Sequence, residues 1–408
     1  MGNAEQPERA APGAGADAVV EEIKTHIRAL ASEIGPRPTG SAANRAAGDY
    51  IAGALAQKGY EPRKQEFPCL DWIPGVSSLS RDGRTVALCS HPFSPPAEVT
   101  APAVMVGDLP ALERASLRDR ICFLHGELAS EPLFPKRFPF FNLPHHQKII
   151  GLLEAKRPLA AVFVHQGDTI PAPLMEDGDF FIPSATAPAA ALALLKEADG
   201  TETTVKIAGR TSPASGFNVV ARRPGQGRAV VCAHYDTKPD TPGAVDNAGG
   251  VAAVLALAGI VARDEPETGV EFVAFNGEDY YAASGEVAYL ASADIRDVSL
   301  VFNIDGVGAA RRAALASFNL GDAGARRLKT LLPEHSALVE TGLWPEGDHM
   351  LFAAAGVPGM TFTSEGIHSL LGSLIHTPAD RAERVRVPVL AAVVAFIASF
   401  LGEGGGRE

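Results

Sequence analysis

Two rhythms run through the hydrophobic positions of this chain. Val19, Val20, Ile23, Ile27 and Leu30 recur at helical spacing and predict a helix over 19–34. A breaker run, Gly35-Pro36-Arg37-Pro38-Thr39-Gly40, ends it, and Ser41 is placed to cap a second helix reaching about Lys58. An extended stretch at 61–67 then leads into an irregular region. From residue 215 onward, short apolar runs (229–233, 269–275, 300–304, 359–363) alternate with Ala-rich helical segments (249–262, 285–292, 323–332, 389–401). Strands without polar alternation belong in a sheet covered on both sides. The expected class is α/β, a mixed, mostly parallel central sheet flanked by helices on both faces. Between 93 and 212 the texture is Pro-rich, with an apolar run at 104–106, short strands near 121–124, 160–164 and 204–207 and helices near 147–155 and 189–197. That stretch reads as an inserted α+β domain. The expected organisation is therefore a main domain built from 16–92 and 213–408, an insertion at 93–212, and flexible tails at 1–15 and 403–408.

Composition narrows the classes of function. The 408 residues carry 36 basic against 48 acidic side chains, a net charge of −12, with no Lys/Arg cluster to reverse it locally. Nucleic acid is not an expected partner. Cys69, Cys89, Cys122 and Cys232 are scattered, which argues against a disulfide framework or a thiolate metal site and fits a reducing compartment. The first fifteen residues lack the apolar core of a signal peptide. The longest apolar run, 387–402, would make a helix of about 24 Å where a membrane span needs about 30 Å. The expectation is a cytoplasmic protein without membrane association.

Polar residues carry the chemistry by where they fall. His234 directly follows the run 229–233, Glu278 and Asp279 follow 269–275, and Asp305 directly follows 300–304. Ligands of open α/β sheets bind at the carboxyl ends of the strands, so these side chains should meet along one sheet edge. Asp246, in the glycine-flanked loop Gly243-Ala-Val-Asp246-Asn-Ala-Gly-Gly250, and His376, after Leu374-Ile375, join them. Taken singly, a strand-end Asp is a turn or cap residue. Gathered in one crevice, such carboxylates repel unless a cation neutralises them. Imidazole and carboxylate donors without thiolate suit zinc, with cobalt or manganese as substitutes. Asp236 and Asp380, close in sequence to the two histidines, are candidates to orient the rings. Two His and three Asp, with Glu278 left over as a base, match the stoichiometry of a two-metal hydrolase.

The segments Ala-His234-Tyr-Asp236, Val-Asp246-Asn-Ala-Gly-Gly, Phe-Asn-Gly-Glu278-Asp279, Asn-Ile-Asp305 and His376-Thr-Pro-Ala-Asp380 stand in the order of metallopeptidase family 28. The chain resembles this co-catalytic di-zinc family of aminopeptidases and glutamate carboxypeptidases. Ile34-Gly-Pro-Arg-Pro-Thr-Gly-Ser41 looks like the family's amino-terminal entry, and Gly347-Asp348-His349 with Phe352 its late core segment. Ser116-Leu-Arg-Asp-Arg-Ile-Cys122 and Ile182-Pro-Ser give the insertion a resemblance to a protease-associated domain. The resemblance implies that Asp246 bridges two zinc ions. His234 and Asp305 would complete one position, Asp279 and His376 the other, and Glu278 would be the general base acting on a peptide or aminoacyl substrate.

Two features depart from the family. Asp279 stands where many members have Glu, and no tyrosine follows Tyr289, so Ile375 occupies the place beside the final His. Oxyanion stabilisation would fall to the second metal, His349 or His368, with Asp348 as a further contact. The aromatic patch containing Phe138, Phe140 and Phe141 reads either as a substrate lid or as a loop packed on its own domain. His145 and His146 read as a helix start. The expected function is a zinc-dependent exopeptidase, foremost an aminopeptidase. A carboxypeptidase of the same family and a glutaminyl cyclase-like aminoacyl cyclotransferase are the alternatives. A non-catalytic, receptor-like relative is opposed by the complete ligand set, and oligomerisation stays open.

Overall fold

The structure, a computed structural model, describes residues 14–139, 142–165, 173–195, 199–292 and 295–402. Eight strands form the main sheet in the order Arg63–Pro74, Gly209–Arg223, Thr268–Phe275, Gln226–His234, Leu300–Ile304, Gly359–Ser364, Ala313–Phe318 and Leu338–Glu340. The four central strands, 268–275 through 359–364, run parallel, and Gly209–Arg223 and Ala313–Phe318 join them antiparallel. Their apolar runs are buried on both sides, as parallel strands between helices must be. Helices Ala14–Ile27, Ala42–Gln57, Gly249–Asp264 and Val387–Gly402 share one core with Phe272, Phe302 and Phe362. Ser284–Ser292 and His349–Ala353 cover the opposite face through Tyr289 and Phe352. Ser41 caps its helix, accepting from the Asn44 amide. The segment Ala244–Asp264 is long and apolar enough to cross a membrane by length and composition, yet it lies enclosed in this core. From Gln226–His234 the chain crosses to Thr268–Phe275 on one side and Leu300–Ile304 lies on the other, so the connections reverse there. Such a switch point opens a crevice at the carboxyl ends of the strands.

The region after residue 67, irregular by sequence, is extended. Arg63–Pro74 continues in register along Gly209–Arg223, from Arg63 opposite Val220 to Pro74 opposite Gly209. This ribbon carries a closed barrel in the order Ser77–Arg81, Arg84–Ser90, Ser184–Ala187, Ala160–Val164, Ile121–Leu124, Ala97–Val106 and Glu202–Ile207. The barrel strands thus run from Ser77 to Ile207, not within the expected limits of 93 and 212. Its first two strands were hidden because Ser, Thr and Arg occupy most of their positions. The signal for them was Asp82-Gly83, both at positive φ, a two-residue turn of the kind that closes tight hairpins.

His91 is buried in the barrel between the Ser184 and Thr186 hydroxyls, at 3.0 and 2.8 Å. Burial pushes the imidazole down to about 3. The unfolded chain takes up this proton near pH 6.5 whereas the folded one does not, so the contribution is complete above that pH. It is lost as pH falls below it, at about 1.4 kcal/mol per pH unit. Between pH 6.5 and 4.5 the urea midpoint of the wild type should therefore drop more steeply than that of His91→Gln. Equal slopes would contradict this role.

Candidate metal centre

His234, the last residue of its strand, places Nε2 3.0 Å from Asp246 Oδ1, 3.3 Å from Asp305 Oδ1 and 3.9 Å from Glu278 Oε2. His376 Nε2 lies 3.1 Å from both Asp246 Oδ2 and Asp279 Oδ1. Asp246 therefore turns one oxygen to each imidazole, and the five ligand candidates fall into two groups that share it. His234, Asp246 and Asp279 are buried, while Glu278, Asp305 and His376 keep partial access to solvent.

Each position has a local cause. The parallel strands end at His234, Phe275 and Ile304, which delivers His234, Glu278-Asp279 and Asp305 to the same crevice. Gly250 lets the Asp246 turn sit against the sheet, since a Cβ there would stand 2.3 Å from the Ile304 carbonyl oxygen. Asp380 accepts from the Val245 and Asp246 amides at 2.7 and 3.0 Å. It thus holds the turn that bears Asp246, and not the His376 ring that its place in the sequence suggested. Asp236 faces His234 Nδ1 at 3.6 Å, and its oxygens accept from the Gly277 and Asp279 amides and from Thr39 Oγ1. Its chief work is to fix the loop bearing Glu278 and Asp279.

Electrostatics follow from this crowding. Burial disfavours a charged His234, but Asp305, Asp236 and Asp246 outweigh it and hold the ring well above its ordinary range. Asp279 and Asp246 do the same for His376 against burial. Burial, with Asp305, Asp279 and Asp246, pushes the Glu278 carboxyl well up. Asp380 is pushed up to about 7 by burial and by Asp246, against the two amides it accepts from. Ligand atoms of His234, Asp246 and Asp279 all lie within 4.8 Å of one another. Asp279 Oδ2 has no hydrogen-bond partner among the described residues. Buried imidazole and carboxylate donors this close, with an oxygen to spare, fit a zinc-type divalent cation.

A buried cation, Arg37, and a part-exposed one, Lys238, were missed by sequence reasoning. Arg37, in the breaker run, donates to the carbonyls of Tyr235, Pro242 and Gly243 at 2.6, 2.7 and 2.9 Å and to Gly35 at 3.2 Å. It ties the entry segment to the loop between His234 and Asp246. Burial brings its guanidinium down to about 10 while Asp236, Asp380 and Asp246 oppose that, so it is charged at neutral pH. Lys238 donates to the Asp279 carbonyl and faces Glu176. Nothing in a lone Pro-flanked arginine, or in a lysine four residues past His234, announces burial.

The remaining candidates lie outside the paired groups. His349 is buried with Nε2 3.0 Å from the Trp344 carbonyl, so in its neutral form that nitrogen's proton is committed there. His368 is exposed on the turn Ile367–Leu370, edge-on to Trp344. Asp348 is buried, and burial and Glu286 push its carboxyl well up. Phe138 packs on Phe134, which stacks on His146, all within the barrel domain. Phe140 and Phe141 lie outside the described residues. His145 and His146 open the helix Pro144–Lys156 and share Glu131 Oε1 at 3.0 and 3.1 Å. His146 Nδ1 accepts from the Phe134 amide, so a neutral ring carries its proton toward Glu131 and makes a hydrogen bond there. Arg37→Met should lower folding stability by about 3 kcal/mol or more, because it strips a buried charge from five carbonyls, that of Leu30 included, and from its acidic neighbours. Urea unfolding measures this, and a loss below about 1 kcal/mol would contradict the clamp.

Residues 218–401 match the profile of Peptidase family M28. Aminopeptidase YwaD of Bacillus subtilis (strain 168) is 24% identical over 298 residues, which cover 69% of this chain and 60% of that protein. The match thus spans less than two thirds of that relative's length. A solved zinc aminopeptidase from Bacillus subtilis superposes with a TM-score of 0.74 at 19% identity, covering 95% of this chain and 96% of the other. An aminopeptidase from Aneurinibacillus sp. strain AM-1 gives 0.73 at 20% identity, with 94% of each chain covered. At these identities the likeness is one of fold.

Proposed function

We propose that the chain, whose residues 218–401 match the profile of Peptidase family M28 and hold all five ligand candidates and Glu278, is a zinc-dependent aminopeptidase using two metal ions. The observation that carries this reading is Asp246, with one oxygen toward His234 and the other toward His376, and Glu278 beside them. His234, Asp246 and Asp305 would hold one ion, and His376, Asp246 and Asp279 the other. Zinc, when bound, polarises a carbonyl as a Lewis acid and lowers the pKa of water. Glu278 takes the proton of the attacking water on a carboxylate oxygen and returns it to the departing amine nitrogen. A carboxyl raised by burial and neighbouring carboxylates is suited to carry that proton between the two steps.

A free amino terminus is favoured over a free carboxylate as the recognised end. Carboxylates dominate the crevice, and the cations beside it, Arg37 and Lys238, are already committed to carbonyls and to Glu176. We read the barrel as a protease-associated-like domain covering the crevice, and the protein as cytoplasmic.

Aminoacyl reporters and dipeptides, assayed with and without a chelator, test the reading. Release of the N-terminal residue should stop with the chelator, return with zinc, and fail on N-acetylated substrates. Chelator-insensitive turnover would overturn it, and cyclisation of N-terminal Gln without hydrolysis would favour the cyclotransferase. Glu278→Gln should bind zinc like the wild type while kcat falls about 10²- to 10⁴-fold, the usual worth of a general base. Full activity in that variant would remove Glu278 from the mechanism.

A further inference from the structure

The inserted barrel does more than stand beside the crevice. Phe93 packs on Tyr280 and Tyr281, with ring centroids 5.5 and 5.1 Å away. Gly178 passes so close to Tyr281 that a Cβ would stand 2.5 Å from its ring. Glu176, on this same barrel segment, is brought to Lys238 of the loop that follows His234. Lys238 Nζ donates to the Asp279 carbonyl oxygen at 2.5 Å and to Glu176 Oε2 at 3.2 Å, and lies 3.7 Å from Asp279 Oδ1. Both side chains are largely buried.

The last of these distances matters most. Asp279 Oδ1 is the oxygen turned to His376, the atom that would meet the second metal ion. An ammonium in hydrogen-bond contact with that oxygen would occupy the lone pairs a metal needs, and would repel the metal besides. At 3.7 Å it falls short of such contact. Two of its three N–H groups are spent elsewhere, and the partner that turns one of them away from Asp279 is Glu176. A lysine side chain is ordinarily an ammonium at neutral pH, so Lys238 stays a competitor for the carboxylate. The shortness of Asp279 sharpens the point, since it has one methylene less than Glu with which to move out of reach.

We propose that Glu176 is a positioning residue, which holds the Lys238 ammonium off the Asp279 carboxylate and leaves that carboxylate to the second metal ion. The barrel thereby completes the metal centre from outside the sheet domain. This rests on the two-metal reading above.

Zinc titration of the metal-free protein against a chromogenic chelator tests it, with no turnover involved. The wild type should take two equivalents. Glu176→Gln should weaken the second about ten- to a hundredfold, the range for partners that orient a ligand, and leave the first unchanged. Adding Lys238→Met to that variant removes the competitor and should restore the second equivalent to wild-type strength or better. A merely structural contact would make the double variant no better than the single one. The inference is overturned if Glu176→Gln binds both equivalents normally, if it weakens both alike, or if the double variant stays weak. Should Glu176→Gln fail to fold, the double variant, which leaves no buried charge unpaired, decides alone: a second equivalent weaker than wild type overturns the inference. A wild type taking fewer than two equivalents would overturn the two-metal reading itself, and with it the role of Glu176.

Discussion

Mutual repulsion among crowded carboxylates is the constraint around which this molecule is arranged. Asp246, Glu278, Asp279 and Asp305 crowd two imidazoles in a crevice where each carboxylate raises the cost of charging the next. Proteins keep such a group ionised only by giving every member a cation or hydrogen-bond donors. Arg37 supplies charge from beneath, Lys238 from the side, and the amides of Val245, Asp246, Gly277 and Asp279 serve the two outer aspartates. What remains unneutralised points inward, to the gap between His234 and His376.

The sheet makes this crowding affordable in conformational terms, because rigid neighbouring strands present their last residues without loop entropy. His234 and Asp305 leave adjacent parallel strands, and Glu278-Asp279 lies just past the third. His376 sits on a turn of its own, and the turn that bears Asp246 is likewise not carried by a strand. The Asp246 turn is pinned instead by Asp380, by Gly250 against Ile304, and by the Asn247 side chain donating to the Ile304 carbonyl.

Much of this was legible in the sequence, for identifiable reasons. Apolar runs of 229–233, 269–275 and 300–304 admit few structures other than buried strands, and a polar residue directly after such a run can only stand at the sheet edge. The ribbon and the first barrel strands were not legible. Arg63–Pro74 owes its extension to pairing with residues some 140 positions away, which no local pattern encodes. Arg37 and Lys238 were missed for a similar reason. Their burial depends on acids that arrive from elsewhere in the chain, and a basic side chain taken alone reads as surface. Asp380 shows the opposite error, where nearness in sequence to His376 suggested a contact that the fold gives to the turn of Asp246.

Because every part of this account converges on the gap around Asp246, the most direct measurement is anomalous diffraction at the zinc edge from crystals of the zinc-loaded protein. The account predicts two peaks flanking Asp246, each about 2.0–2.2 Å from its nearest His and Asp donor atoms. One peak lies against His234 and Asp305, the other against His376 and Asp279. A single peak, or peaks at any other donors, would contradict it.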